Sequence, residues 1–410
     1  MSANGNHAER FEPVPGPLFT KPFLALAALA GLALALIPVR FAIGLGPASG
    51  VTDGYPWGLW KIVNVIVLTG VASGGYTLAL IVYGFAKRRH HALARHAIAT
   101  SAVGYTSGVI ALGVVDLGRP WNFWRLIDPR TWNFHSVLLE IGLCVSAYIV
   151  FLWMEMAPPI LERLSAQSQG WLGRFARWVQ PWLARFYPWI VSAGITLPTM
   201  HQSSLGSLFL LAGPRLHPLW QTPLLPLFFL ISAWILGLSA VIIAAMLANI
   251  WWARPLPVRL VSQLSRWNAV LVLWFFVLRV TDISIREHTH EMFAFDRFGV
   301  SFLVELALML PPALLLVYGK RKQPRGGMFR MALVTLTGAA FYRFNVCLGG
   351  FMPGAGWVYF PSTMEILISA GLCALGVVAY IVIAKRLPII DNPPTAPKAA
   401  GTPLSPARPR

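Results

Sequence analysis

Residues 223–252 read PLLPLFFLISAWILGLSAVIIAAMLANIWW, thirty positions without one Asp, Glu, Lys or Arg. As an α-helix this run is about 45 Å long at ~1.5 Å per residue, more than the ~30 Å hydrocarbon core of a bilayer. Its apolar side chains point all round the axis and leave no face for water. A helix of that kind belongs in lipid or at the centre of a large bundle.

Outward from this run the pattern repeats. Ten spans are predicted, at 22–44, 60–86, 94–117, 135–157, 186–211, 223–252, 267–285, 298–319, 328–348 and 362–387. Of the 410 residues, 56% are hydrophobic and 12% charged, whereas a soluble chain carries about 25% charged residues. Too little polar surface exists to cover a globule of this size. The expected fold is all-α, a polytopic transmembrane helical bundle over 21–388. The segments 1–20 and 389–410 are rich in Pro and polar residues and read as disordered tails. The first span lacks a strongly basic lead and a small-residue cleavage site, so it reads as a retained helix.

The net charge of +18 invites a nucleic-acid partner, but its distribution excludes one. Sixteen Lys and Arg fall in four alternate connections: Lys87 to Arg95, Arg163 to Arg185, Arg254 to Arg266 and Lys320 to Arg330. The other connections hold six: Arg119, Arg125, Arg130, Arg215, Arg286 and Arg297. This alternation is the positive-inside signal, and it predicts that both termini are cytoplasmic. The outer connections are rich in Gly, Pro and aromatics, as in Gly54 to Gly58, Pro120 to Trp124 and Pro353 to Tyr359. Trp171, Phe175, Trp178 and Trp182 are interleaved with arginines, and 159–185 is predicted to be an amphipathic helix on the cytoplasmic surface.

Ionisable side chains inside apolar spans are costly and point to function. Asp116, Glu140, His201, Arg279, Asp282, Glu305, Arg343 and Glu365 are such residues, and on the predicted topology all fall in the outer half of the membrane. Glu155 lies apart, near the inner end of span four. Structural ion pairs have no reason to favour one leaflet, so one polar site, or two adjacent ones, is expected near the outer face. Arg279 and Asp282 are spaced to pair on one helix turn. Glu140 and Glu305 need partners from other helices. Tyr76 and Tyr105 can donate hydrogen bonds into a cavity or simply pack. Gly70, Gly74, Gly75, Gly104 and Gly108 allow close helix approach.

Cys144, Cys347 and Cys373 are widely spaced in apolar runs, which gives no zinc or iron–sulfur pattern. A membrane b-haem takes paired histidines. Of the nine His only His201 lies well inside a span, so no haem is expected.

Several segments resemble the NrfD/PsrC family of membrane quinol-interacting subunits, in particular its Hyb-type NiFe-hydrogenase members, often labelled b-type cytochromes. They are Gly54-Tyr55-Pro56-Trp57-Gly58-Leu59-Trp60, Val115-Asp116-Leu117-Gly118-Arg119, Asn133 to Glu140, Leu197 to Ser207 and His217-Pro218-Leu219-Trp220-Gln221. The resemblance implies a multi-pass subunit of the bacterial inner membrane that binds a quinone, menaquinone or ubiquinone, near the outer face. It implies a periplasmic ferredoxin-like iron–sulfur partner serving a hydrogenase or another oxidoreductase. Arg279 and Asp282 resemble an Arg-x-x-acid pattern in which the acid is usually Glu.

Quinone reduction needs two protons, which Glu140, Asp116 and His201 are candidates to relay. Arg279, Asp282, Glu305, Arg343, Tyr76 and Tyr105 are candidates to bind the quinone and stabilise charge on its oxygens. The aromatic outer loops at 55–60, 121–132 and 350–360 are the expected docking face for the partner. A proton-translocating subunit or secondary transporter is the alternative, favoured by midplane charges and internal repeats, neither of which stands out here.

Overall fold

The computed structural model describes residues 11–84, 93–319 and 323–391. Residues 1–10 and 392–410 of the expected tails lie outside the described residues. So do Lys87, Arg88, Arg89, Lys320, Arg321 and Lys322, which contribute to the charge asymmetry.

The chain is a helical bundle. Its principal helices are α1 (Lys21–Ile43), α2 (Lys61–Tyr83), α3 (Ala94–Ile110), α4 (Val137–Glu155), α5 (Ala157–Gln167), α6 (Trp171–Leu210), α7 (Leu225–Trp252), α8 (Val258–Ile285), α9 (Arg297–Tyr318), α10 (Arg325–Phe344) and α11 (Thr363–Arg386). Eight helices among the described residues are long and apolar enough to cross a membrane: α1, α2, α4 running on into α5, α7, α8, α9, α10 with its continuation to Gly349, and α11. The protein is therefore a multi-pass membrane protein. The two other predicted spans are helical as well. Span 94–117 is α3 with a π-helical continuation Ala111–Asp116, and span 186–211 is the second half of α6.

Helix α6 corrects one expectation. The segment 171–185 does not form a separate surface helix; it runs without a break into the following span. Of the predicted surface segment only α5 is separate from α6, ended at Ser168. Forty residues extend about 60 Å, twice the hydrocarbon thickness. Pro181, Pro188 and Pro198 each remove one backbone hydrogen bond. Packing against α4, α5 and α7 keeps the axis continuous.

The two ends of the bundle differ. One carries the connections 117–136, 211–224, 286–296 and 350–362 and is called here the loop-rich end. The other carries 156–170 and 253–257 and is called the basic end. Three helices start at the loop-rich end on side-chain caps: Ser136 accepts from Leu139 N at 3.4 Å, Asp296 from Gly299 N at 2.8 Å and Ser362 from Glu365 N at 3.0 Å. Each supplies an acceptor for the orphan amides of a first turn. Three π-helical turns face this end, at Lys61–Val67, Ala111–Asp116 and Asn345–Gly349. Such widened turns are rare and recur at functional sites.

The charge-free helix α7 occupies the centre and packs on α2, α6, α8 and α10. Its Gly237 backs onto Gly74 of α2, where a Cβ on Gly237 would meet Gly74 N at 2.6 Å. This is the close approach expected for Gly74. At the basic end, Phe11–Glu12 pairs antiparallel with Ile390–Asp391, which joins the first and last described segments.

Candidate functional site

The expected site residues separate into two buried clusters and several outlying groups. In the first cluster, Glu305 of α9 pairs with Arg279 of α8, both nearly inaccessible. The same carboxylate accepts from Trp220 Nε1 at 2.9 Å and Asn345 Nδ2 at 2.6 Å. Arg279 lies over the rings of Phe302 and Tyr342, at 4.9 and 4.8 Å. Glu305 thus finds the cross-helix partners it needs. Arg279 does not pair with Asp282: its guanidinium turns inward to the buried carboxylate of α9. Asp282 accepts from Thr222 Oγ1 at 2.8 Å and pairs with Arg286, one turn on, at 2.8 Å.

The second cluster surrounds Arg343, which is fully buried. Its guanidinium donates to Ile66 O at 2.5 Å, Phe229 O at 2.7 Å, Gln202 Oε1 at 2.8 Å and Ser232 Oγ at 3.1 Å. Among the described residues no carboxylate pairs with it, so its charge is met by neutral acceptors alone. Gln202 passes the network on, donating to Tyr105 OH at 3.0 Å and Thr69 Oγ1 at 3.2 Å. His201 stands beside Tyr105, with ring centroids 5.9 Å apart. Neither of its nitrogens completes a hydrogen bond, although the Ile141 carbonyl approaches one. Tyr76 is buried on the same side, near Ser73, with its hydroxyl unpartnered.

Beside this cluster, at the loop-rich end, lies a cavity of about 400 Å³. Its walls are largely apolar, including Val65, Ile66, Ile141, Leu205 and Leu208, and its polar groups include Lys61, Asp116 and Arg119. Lys61 Nζ lies 3.2 Å from Asp116 Oδ2. The cavity is one residue from Arg343, because Ile66 both lines it and accepts from that guanidinium. Glu140 is not in the lining. Its carboxylate is exposed and accepts from Ser204 Oγ at 2.7 Å. Glu365 is buried elsewhere, where it accepts from Trp60 N at 3.1 Å and Tyr359 OH at 2.9 Å.

Several polar residues in apolar runs, Asn345 among them, were not among the expected site residues. Lys61 opens α2 and is the ion-pair partner of Asp116. Arg40 of α1 donates to Val115 O at 3.0 Å and Leu117 O at 2.7 Å, which fixes the π-helical turn that carries Asp116. Gln202 and Asn64 are uncharged and so escape a census of ionisable groups. The signal for Lys61 and Arg40 was present, since each is a lone cation within a span and needs a partner.

The loops at this end expose Trp121, Ile127, Phe134, Val358 and Phe360. They are the same loops that were expected to face a partner.

A family model described as polysulphide reductase, NrfD, matches residues 47–353. The chain is 37% identical over 382 residues to a probable Ni/Fe-hydrogenase 2 b-type cytochrome subunit of Escherichia coli strain K12, covering 92% of this chain and 95% of that protein. It is 34% identical over 394 residues to a protein of Nitratidesulfovibrio vulgaris strain Hildenborough, covering 93% of this chain and 95% of that one. It is 26% identical over 170 residues to the integral membrane subunit of a menaquinone reductase from the same strain, covering 41% of this chain and 38% of that subunit.

The first relative overturns the expectation of a chain without haem, because a protein alike over 92% of this chain bears the name of a b-type cytochrome subunit. The fit of such a group to this chain rests on its histidines. His96, hydrogen-bonded to Tyr380, lies on α3 about 13 Å along the axis from Tyr105, the neighbour of His201. No histidine lines the cavities of about 550, 330 and 400 Å³. The described residues do not assemble a bis-histidine haem site.

Proposed function

The chain belongs to the NrfD family of polysulphide-reductase-type membrane subunits, and from that premise we propose that it is the quinone-reactive membrane subunit of a respiratory oxidoreductase in the bacterial inner membrane. The observation that carries this reading is the cavity at the loop-rich end. It is an apolar slot with the Lys61–Asp116 pair in its wall and the Arg343 guanidinium one residue behind it.

Conversion of quinone to quinol takes up two electrons and two protons. Apolar walls suit the ring and the start of an isoprenoid tail. Asp116 exchanges protons at a quinone oxygen, with Lys61 holding its carboxylate in place. Arg343 has no carboxylate partner among the described residues, so its field stabilises negative charge as it builds on the oxygens. Glu140 and His201 flank the slot and serve as secondary proton relays. Tyr76, Tyr105 and Gln202 shape the wall behind it.

The first and last described segments, Phe11–Glu12 and Ile390–Asp391, pair at the basic end. Under the positive-inside rule that end is cytoplasmic and the loop-rich end periplasmic. Electrons then pass between the slot and an iron–sulfur subunit seated on the aromatic loops, the partner of a NiFe hydrogenase or a related oxidoreductase. The name of the Escherichia coli relative and that of the menaquinone reductase subunit support this partnership.

The test is the Asp116→Asn variant of the intact membrane complex, assayed with duroquinone. Loss of quinone turnover with normal assembly supports the reading. Wild-type turnover would remove Asp116 and the slot from the chemistry.

A further inference from the structure

Buried polar atoms without a hydrogen-bond partner are rare in native proteins, and where they gather they mark unseen water or ligand. Fifteen such side-chain atoms occur among the described residues. Seven belong to one narrow column between α2, α3, α4 and α6: both amide atoms of Asn64, the hydroxyls of Tyr76 and Tyr148, both ring nitrogens of His201, and Glu155 Oε1.

The column has an order. Asn64 lies one turn from Lys61, in the helix that borders the quinone slot. Thr69 follows, bonded through Gln202 to Tyr105. The Tyr105 ring meets that of Tyr148 edge-on, with centroids 4.7 Å apart. Tyr148 and Glu155 are seven residues apart on α4, so they share a face. They are about 10 Å apart along the axis, a distance that roughly three hydrogen-bonded waters bridge.

At the far end Glu155 opens on a second cavity, of about 550 Å³, at the basic end of the bundle. Glu155 is 3% exposed, and it lines that cavity together with Tyr83, Tyr187, Gln180 and the Arg95–Glu162 pair. Its carboxylate is pressed against α6 where a side chain is missing: a Cβ on Gly194 would lie 2.0 Å from Glu155 Oε1. Four residues on, Pro198 has no N–H to give the Gly194 carbonyl. An acceptor is thereby left beside the acid, suited to anchoring a water.

We propose that this column holds a file of bound waters and is the proton path of the quinone site, with Glu155 as its entry group at the basic end. The inference rests on the proposed quinone reading. For each quinone reduced, the docked donor supplies two electrons, and two protons enter past Glu155, Tyr148 and Tyr105 to reach Asp116. Glu155 recovers each proton from water in the 550 Å³ cavity. Quinol oxidation runs the same transfers backwards. Protons and electrons therefore meet from opposite ends, and turnover moves charge across the membrane.

The intact complex, reconstituted in liposomes with a trapped pH indicator and turned over with duroquinone, gives a direct reading. Two protons per quinone should disappear from the side that bears loop 156–170. Glu155→Gln, which keeps size, should lower turnover at least tenfold, and Tyr148→Phe about threefold. Uptake from the loop-rich side, or normal turnover in Glu155→Gln, overturns the path and leaves the slot intact. Absence of quinone turnover in the wild type would instead sink the quinone reading. Radiolytic footprinting in ¹⁸O-water tests the water file without turnover: Tyr148 and Tyr105, both fully buried, should acquire label from internal water. If both stay unlabelled while exposed tyrosines react, the column is dry and the path is excluded.

Discussion

The Arg279–Glu305 cluster and the Lys61–Asp116 slot both lie toward the loop-rich end, yet their polar groups are satisfied to different degrees. Glu305 receives an arginine, a tryptophan and an asparagine, and Arg279 is stacked among three aromatic rings, of which only the Tyr342 hydroxyl is left without a partner. Around Arg343, behind the slot, Asn64, His201 and Tyr76 leave five polar atoms without partners, and Arg343 has no counter-ion among the described residues. A buried network whose members are all bonded holds one shape, and losing a member is costly. A network with open positions is ready to accept a ligand, water or protons. The same residue types, at the same end of one bundle, are thus bonded into a closed set on the α8–α9 side and left open on the α2–α3 side, where the proposed chemistry would lie.

The largest expected effect comes from breaking the closed cluster. Arg279→Met strands the Glu305 carboxylate at membrane depth and should cost about 3–5 kcal/mol. The readouts are thermal stability in detergent and the yield of assembled complex. The double variant Arg279→Met with Glu305→Leu removes both charges and should recover most of that loss. If the single variant is as stable as the wild type, the cluster is not structural.

Opening the other side should do the reverse. Asp116→Asn should leave stability nearly unchanged, because Lys61 is partly exposed and can be hydrated. Quinone turnover should fall roughly 100-fold, the scale of a lost acid–base group. Glu140→Gln should cost less, at most about fivefold, the scale of one weakened hydrogen bond, because its carboxylate is exposed and lies outside the slot lining. A larger effect from Glu140 than from Asp116 would reverse the order and move the chemistry to the α4–α6 surface.

The contrast also explains what could be read beforehand. The helices were legible because each span repeats the apolar logic of 223–252, and the one-sided placement of Asp116, Glu305 and Arg343 pointed to the loop-rich end. Which carboxylate meets which cation was not legible. Arg279 and Asp282 are adjacent on a helix surface, but burial of Glu305 makes a stronger demand for a cation than a partly exposed Asp282 does, so tertiary packing overrides local spacing. Lys61 escaped notice because a single Lys at a helix start resembles an interfacial anchor. Asn64 and Gln202 escaped because an amide carries no charge to count. The continuous α6 was hidden because the arginines among the aromatics of 171–185 read as a surface helix ending before the apolar run of 186–211, whereas packing against α4, α5 and α7 carries one axis through both.

The smallest expected effect lies at the rim of the closed cluster, in the connection between α6 and α7. His217 stacks on Phe298, with centroids 4.0 Å apart, accepts from Leu219 N at 3.4 Å through Nδ1, and turns Nε2 toward Glu291 at 3.7 Å. Desolvation lowers its pKa from the ordinary value, and nearby Glu291 and Asp296 only partly oppose the shift. The folded chain thus favours the neutral ring. Stability from this group is full above the unfolded value of about 6.5 and declines as pH falls below it toward the lowered folded value. Melting curves taken between pH 7 and pH 5 should show this decline. His217→Asn keeps the acceptor for Leu219 N without a titrating ring, and should flatten the profile. Glu291→Gln removes the group that opposes the shift, lowers the His217 pKa further and should steepen it. A flatter profile in the first variant and a steeper one in the second identify His217 as the titrating group; parallel profiles would assign the pH dependence elsewhere.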